Sequence, residues 1–136
     1  MTLKATCEET GGSIGFLEAT SLPGCGSPRH VHHSSDELFY VLEGEFLFLV
    51  GERQVRALPG TFVFVPRVTV HAAKVIGTEP GKVLAAYIPG GLERSFEEFA
   101  RVLTEQGEDA KRSTGRSMTV DEINEKYDSE FVGPPL

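Results

Sequence analysis

Apolar and polar residues alternate along most of this chain in short runs broken by glycine or proline. Residues 2 to 8 read as a short strand, an edge strand or an exchanged arm, before a Gly11-Gly12 turn. Ser13 to Thr20 is predicted as a strand with Ile14, Phe16 and Glu18 on one face and Leu17 and Ala19 on the other, ended by Pro23-Gly24. His30 to His33 and Glu37 to Leu42 are predicted as two further strands. In the second, Glu37, Phe39 and Val41 share one face, and Leu38, Tyr40 and Leu42 share the other. Glu43-Gly44 is a tight turn, and Glu45 to Val50 is apolar on both faces, as expected for a strand buried on two sides. Gln54 to Leu58 follows a turn at Gly51-Glu52, and Pro59-Gly60 turns again into the doubly apolar Thr61 to Val65. Thr69 to Ile76, a loop at Thr78 to Gly81 and a last strand at Lys82 to Ile88 complete the series. Short strands at near-regular spacing with such turns predict an all-β sandwich or barrel.

The period changes after Pro89-Gly90-Gly91. Ser95 and Glu98 have the spacing of a capping box, and Phe96, Phe99, Ala100 and Leu103 recur at helical spacing up to a stop at Gly107. This stripe reads as packing. Residues 108 to 117 are polar and read as mobile. Thr119 to Glu122 forms a second capping box that opens a short helix through Tyr127. The terminal FVGPPL is too apolar for a free tail and is expected to dock on the barrel. The expected organisation is therefore a barrel over residues 1-94 and a helical extension over 95-136 packed against it.

A chain of 136 residues is one domain that can bury a core without disulfide staples. Its net charge of -7 argues against nucleic acid and anionic membranes as partners. No apolar run approaches the length of a membrane span, and the N-terminus has no apolar signal region, so a cytoplasmic protein is expected. Cys7 and Cys25 form neither a CxxC pair nor a framework, which fits reduced thiols; Cys25 reads as a small loop residue.

The chemistry concentrates between Gly24 and Gly44. His30 and His32 point to one side of an extended segment, and Glu37 can return to that side after the Ser34-Ser35-Asp36 turn. Two imidazoles and a carboxylate on one face form a metal site, with His71 as the natural fourth ligand. Imidazole suits Zn, Cu, Fe and Ni, and a carboxylate widens the choice toward Mn. His33 points away and reads as a surface residue. Phe39, Phe46, Phe48 and Phe64 would make the space beside the ligands apolar, either as walls of a substrate pocket or as filling of a small barrel. Leu47, Leu49 and the N-terminal strand carry more apolar surface than a small monomer leaves exposed, so a homodimer is expected.

These residues carry a resemblance. Gly24, five positions, His30, one position, His32, four positions, Glu37, six positions and Gly44 are similar to the first cupin motif at every fixed position. Gly60, Pro66 and His71 are similar to the second, which is departed from at Val68, where the family usually has Gly, and at Val75, where it often has Asn. The resemblance covers about residues 12 to 90. HVHHSSDELFYVLEGEF looks like single-domain cupins of the quercetin-dioxygenase-like kind. It implies a jelly-roll (double-stranded β-helix) barrel, to which the short C-terminal helices read from their own spacing are added. It also implies one divalent transition metal per chain (Fe, Mn, Ni, Co, Cu or Zn) on His30, His32, Glu37 and His71. The implied activity is a metal-dependent dioxygenase taking a small aromatic enol, flavonol- or polyketide-like, with Glu37 as ligand and base. A non-oxidative isomerase, cyclase or lyase using the metal as Lewis acid, and a non-catalytic binding module, are the alternatives.

Overall fold

The computed structural model describes residues 1-107 and 118-136, without the side chains of 103-107; the polar stretch 108 to 117 lies outside the described residues. Among the described residues ten strands form two five-stranded antiparallel sheets. The strands are β1 Thr2–Ala5, β2 Gly15–Ser21, β3 Arg29–His32, β4 Asp36–Glu43, β5 Phe46–Val50, β6 Arg53–Ala57, β7 Phe62–Val65, β8 His71–Val75, β9 Gly81–Ile88 and β10 Ser129–Gly133. One sheet runs β1-β2-β9-β4-β7 and the other β10-β3-β8-β5-β6. Helices α1 (Ser95–Gly107) and α2 (Val120–Lys126) lie between β9 and β10 in the chain. Among the described residues no helix is long and apolar enough to cross a membrane.

The inward faces interlock as the alternation predicts. Val41, Phe46, Phe48, Val63, Val65 and Val75 form one buried cluster, and Leu17, Ala85, Tyr87 and Leu92 a second. Each such side chain contributes about 1.5–3 kcal/mol by leaving water. Val75, the departure from Asn, is fully buried in the first cluster, so an apolar residue suits it.

Phe64 corrects an expectation. Residues directly opposite on neighbouring strands share a face. The β4–β7 register sets Val65 against Glu37 and Val63 against Phe39, so these point inward; Phe64 stands against Leu38 on the outer face. It is 47% exposed and lines no pocket with the ligands.

The N-terminal strand pairs with β2 of its own chain as an edge strand. The turn after it is held by Glu93, which is fully buried and accepts hydrogen bonds from the Cys7 N–H (2.7 Å) and the Gly91 N–H (2.6 Å). A Cβ on Gly15 would lie 1.8 Å from the Glu93 carboxylate, so only glycine admits that side chain.

The second capping box forms as expected: Thr119 Oγ1 accepts from the Glu122 N–H and the Glu122 side chain accepts from the Thr119 N–H. At Ser95 the outcome differs. A 3-10 turn over Leu92–Arg94 leads straight into α1, so Ser95 is no longer at a free helix start; its hydroxyl donates to the Leu92 carbonyl. Glu98 turns to Lys126 and Tyr127 on α2 instead. On α1 Val102 is buried while Ala100 is exposed, which corrects the stripe at that position. The chain end also differs from a purely helical extension: residues 129-133 form β10, which pairs with β3 and widens the sheet that carries the histidines.

Candidate metal centre

The two sheets face their ligands at each other. His30 and His32 project from β3 and His71 from β8, with His30 and His71 directly paired in register. Glu37 projects from β4 of the opposite sheet. A bend between β3 and β4 carries the chain across, which is how Glu37 comes to face His32. The ligand atoms of His30, His32, Glu37 and His71 all lie within 4.8 Å of one another. His33 faces out, beside Glu130 of β10 at 3.7 Å.

Backbone carbonyls orient two of the imidazoles. His30 Nδ1 donates to the Pro28 carbonyl and His71 Nδ1 to the Thr69 carbonyl, both at 2.8 Å. This turns each Nε2 inward, as in carbonyl-oriented metal ligands. Glu37 Oε2 lies 2.8 Å from His71 Nε2 and 3.3 Å from His32 Nε2. Since His71 Nδ1 already carries a proton, the contact with Glu37 places a second on Nε2. Burial pushes this imidazole down, but the Glu37 hydrogen bond and charge outweigh it and raise it above the usual value. For Glu37, burial pushes the carboxyl up, yet the hydrogen bonds from His32 and His71 hold it well below the ordinary range. His30 is pushed down to about 4, first by burial and then by the charge on His71. His32 Nδ1 is buried without a partner among the described residues. Three inward imidazoles and a buried carboxylate fit a divalent transition metal, which would take the place of the His71 proton and release it.

The metal-free protein carries this in its pH dependence. A histidine whose pKa falls from 6.5 unfolded to about 4 folded contributes stability above pH 6.5 that is lost as pH falls toward 4. The His71 contribution has the opposite sign and is fully present below 6.5, so it does not offset this loss. After chelation, the unfolding free energy should fall by about 3 kcal/mol between pH 6.5 and 4. Urea titrations at several pH values measure it; a flat profile over that window would contradict the buried neutral His30.

The loop into His71 is clamped on both sides. Arg67 pairs with Asp36 through Nε to Oδ1 and Nη2 to Oδ2, each at 3.1 Å, and the Arg67 N–H also donates to Asp36. The Val68 N–H donates to the His32 carbonyl at 2.7 Å. This conformation needs φ of 62° at Val68, a left-handed value that a β-branched residue resists at about 1–2 kcal/mol. The departure from Gly is therefore accommodated with strain, beside the ligands it helps to place. Val68 is 66% exposed and packs little. Val68→Gly should stabilise the protein by roughly 0.5–1 kcal/mol once the added freedom of the unfolded chain is subtracted. Thermal unfolding reads this; a lower midpoint would show that Val68 is unstrained.

A cavity of about 400 Å³ opens onto His30, His32 and Glu37, within the range of small-molecule sites. Phe39, Phe46 and Phe48 line it, so these three expected pocket residues are brought together with the ligands. Phe96, Phe99, Phe131 and Tyr87 line it too. Tyr87 stands directly opposite Glu37 in the β4–β9 register. Burial, and then the nearby Glu37 charge, push its hydroxyl well above the usual value, so it stays protonated beside the carboxylate. The sequence carried a signal for Tyr87 only through strand register: an inward residue of β9 level with Glu37. The described lining contains no Lys, Arg or Asp.

A small antiparallel barrel gathers on its inner faces three histidines and a carboxylate that could hold a metal ion. Residues 17–87, more than half of the chain, match the cupin domain model, and the chain belongs to the cupin family. An uncharacterized protein of Methanocaldococcus jannaschii is 32% identical over 74 residues, 54% of this chain and 59% of that one. Quercetin 2,3-dioxygenase of Bacillus subtilis is 32% identical over 99 residues, 73% of this chain and 28% of that one. The chain thus spans less than two thirds of either relative. The crystal structure of a predicted oxalate decarboxylase from Thermotoga maritima superposes with a TM-score of 0.61 at 23% identity, over 62% of this chain and 75% of that one, a likeness of fold. The family includes metal-dependent enzymes of more than one reaction type.

Proposed function

We propose that this cupin is a metal-dependent dioxygenase acting on an uncharged aromatic enol, flavonol-like in shape. The observation that carries this reading is the wall beside the ligands: aromatic on several sides and without a cation among its described residues. A sugar phosphate or a uronate with an anionic group held away from the metal would leave that group unmatched against this wall, at the cost of an unpaired charge in an apolar site. A flat neutral ring gains from the same wall. A divalent metal bound by His30, His32, Glu37 and His71 would supply Lewis acidity and, if redox-active, a path for electrons to dioxygen. Among the described lining residues Glu37 is the one carboxylate, and in this reading it takes the enol proton. In the loaded protein the His32 and His71 Nε2 atoms would hold the metal instead, and Glu37 would take the proton on slipping off the metal. Tyr87 would hold a hydrogen-bond donor against the carboxylate, and the phenylalanines would exclude water.

The test is oxygen uptake by metal-loaded protein with quercetin and simpler flavonols. Consumption of oxygen together with substrate is expected. Turnover that continues without oxygen would move the protein to the Lewis-acid class, and binding without turnover to a binding module.

The reading includes a homodimer, with the interface on the outer face of the β7 sheet rather than at Leu47 and Leu49, which are half-buried. Phe62, Phe64, Tyr40 and Ile88 are exposed there, and β7 is an edge strand whose free backbone a two-fold copy would pair. Light scattering at high micromolar concentration should give twice the chain mass; a monomer would remove this part of the proposal.

A further inference from the structure

The inner end of the cavity comes from the part of the chain that matches the cupin domain, residues 17–87. Its outer wall does not. Phe96 and Phe99 of α1, Asn124 of α2, and Ser129 and Phe131 of β10 line the cavity from beyond residue 87. The pairing of β10 with β3 sets Phe131 level with His30, with ring centroids 6.3 Å apart and planes at 85°. Phe131 also stacks on Phe99 at 6.2 Å and 23°. Phe96 stands 6.1 Å from Tyr87, tilted by 35°. Three rings from the C-terminal segment thus continue the aromatic lining outward from the ligands.

Polar side chains sit in this wall as well. Asn124 is 7% exposed, and Ser129 Oγ donates to its Oδ1 at 3.0 Å. The amide lines the cavity. The Asn124 side chain can hydrogen-bond a polar group bound there.

We propose that this C-terminal wall determines substrate specificity by reading the part of the ligand remote from the metal ligands. Phe96, Phe99 and Phe131 take a second aromatic ring, and Asn124 hydrogen-bonds an oxygen on it. The substrate class is then a two-ended planar molecule, with a chelating enol at one end and an oxygen-bearing aryl ring at the other. This rests on the aromatic-enol reading above and narrows it. Because the wall lies outside the matched region, barrels with the same four ligands and a different C-terminal segment would take different substrates.

The test uses the full chain loaded with Zn²⁺, a redox-inert ion, so that binding is read without turnover. The probes are 3-hydroxyflavone, which carries the second ring, and 3-hydroxychromone, which lacks it; binding is followed by probe fluorescence. Wild type should bind 3-hydroxyflavone about tenfold more tightly or better. Phe131→Ala should weaken 3-hydroxyflavone about tenfold and leave 3-hydroxychromone within twofold. Phe131→Leu, milder for β10, should show the same selective loss to a smaller degree. A 4′-hydroxyl on the second ring should strengthen binding to wild type and not to Asn124→Ala. Equal wild-type affinity for the two probes would overturn the proposal whatever the variants do, while leaving the aromatic-enol reading intact. Equal weakening of both probes in the Phe131 variants would overturn it as well. Failure of wild type to bind either probe would overturn the aromatic-enol reading, and this proposal with it.

Discussion

His71→Ala should empty the site. Purified wild-type protein is expected to hold about one divalent ion per chain, and the variant less than a tenth of that after desalting. Four-ligand protein sites bind with roughly 10–16 kcal/mol, so one imidazole is worth near 3 kcal/mol, about a hundredfold in affinity. A second loss accompanies the first. His71 and Glu37 are 2% and 3% exposed and in direct contact, so removing the imidazole leaves a buried carboxylate short of its nearest partner. That costs roughly 3–5 kcal/mol in the metal-free protein, with the cavity left by the ring adding to it. His33→Ala, next in the chain to His32 but facing solvent, should change neither metal content nor stability beyond about 0.5 kcal/mol. Elemental analysis and urea unfolding of the two variants decide the matter together. Full metal content in His71→Ala would remove His71 from the ligand set.

The clustering of the four candidate ligands was legible because alternation along a strand is a local property. His30, His32 and Glu37 lie in short extended runs whose parity can be counted residue by residue, and His71 follows a turn marked by Pro66. Phe64 was not legible, because Thr61 to Val65 is apolar at almost every position and parity within such a run is set by its partner. The β4–β7 register decides it, by placing Val65 against Glu37. Tyr87 was missed for a related reason: its importance comes from standing opposite Glu37, some fifty residues earlier in the chain. The last residues show the limit most clearly. FVGPPL reads as an apolar tail that must dock, but its partner β3 lies about a hundred residues upstream, and no local pattern names it. That pairing brings Phe131 to the cavity, so the outer wall is the part of the site least visible in sequence. Glu98 teaches the same lesson at shorter range. It has capping-box spacing from Ser95, yet a 3-10 turn ahead of the helix and Lys126 and Tyr127 on α2 draw it elsewhere.

Glu37→Gln separates holding the metal from doing chemistry. Glutamine has nearly the same shape and keeps one carbonyl oxygen, but it has neither charge nor basicity. In the metal-free protein it cannot support the second proton on His71, so the raised His71 pKa should fall back, which favours the neutral imidazole that a metal needs. That gain partly offsets the lost carboxylate ligand, and metal affinity is expected to fall only about tenfold. At saturating metal the site refills. Turnover should not recover with it, because a positioned base contributes about 10²–10⁴ to rate and Glu37 is the one carboxylate among the described lining residues. The expected result is therefore a hundredfold or larger loss of kcat at full metal occupancy, with substrate affinity little changed, since the aromatic walls are untouched. Losses of metal and turnover in equal proportion, cured together by added metal, would make Glu37 a ligand only. The proton acceptor would then have to be sought among waters or on the substrate itself, since Tyr87 stays protonated and the three histidines are engaged as ligands.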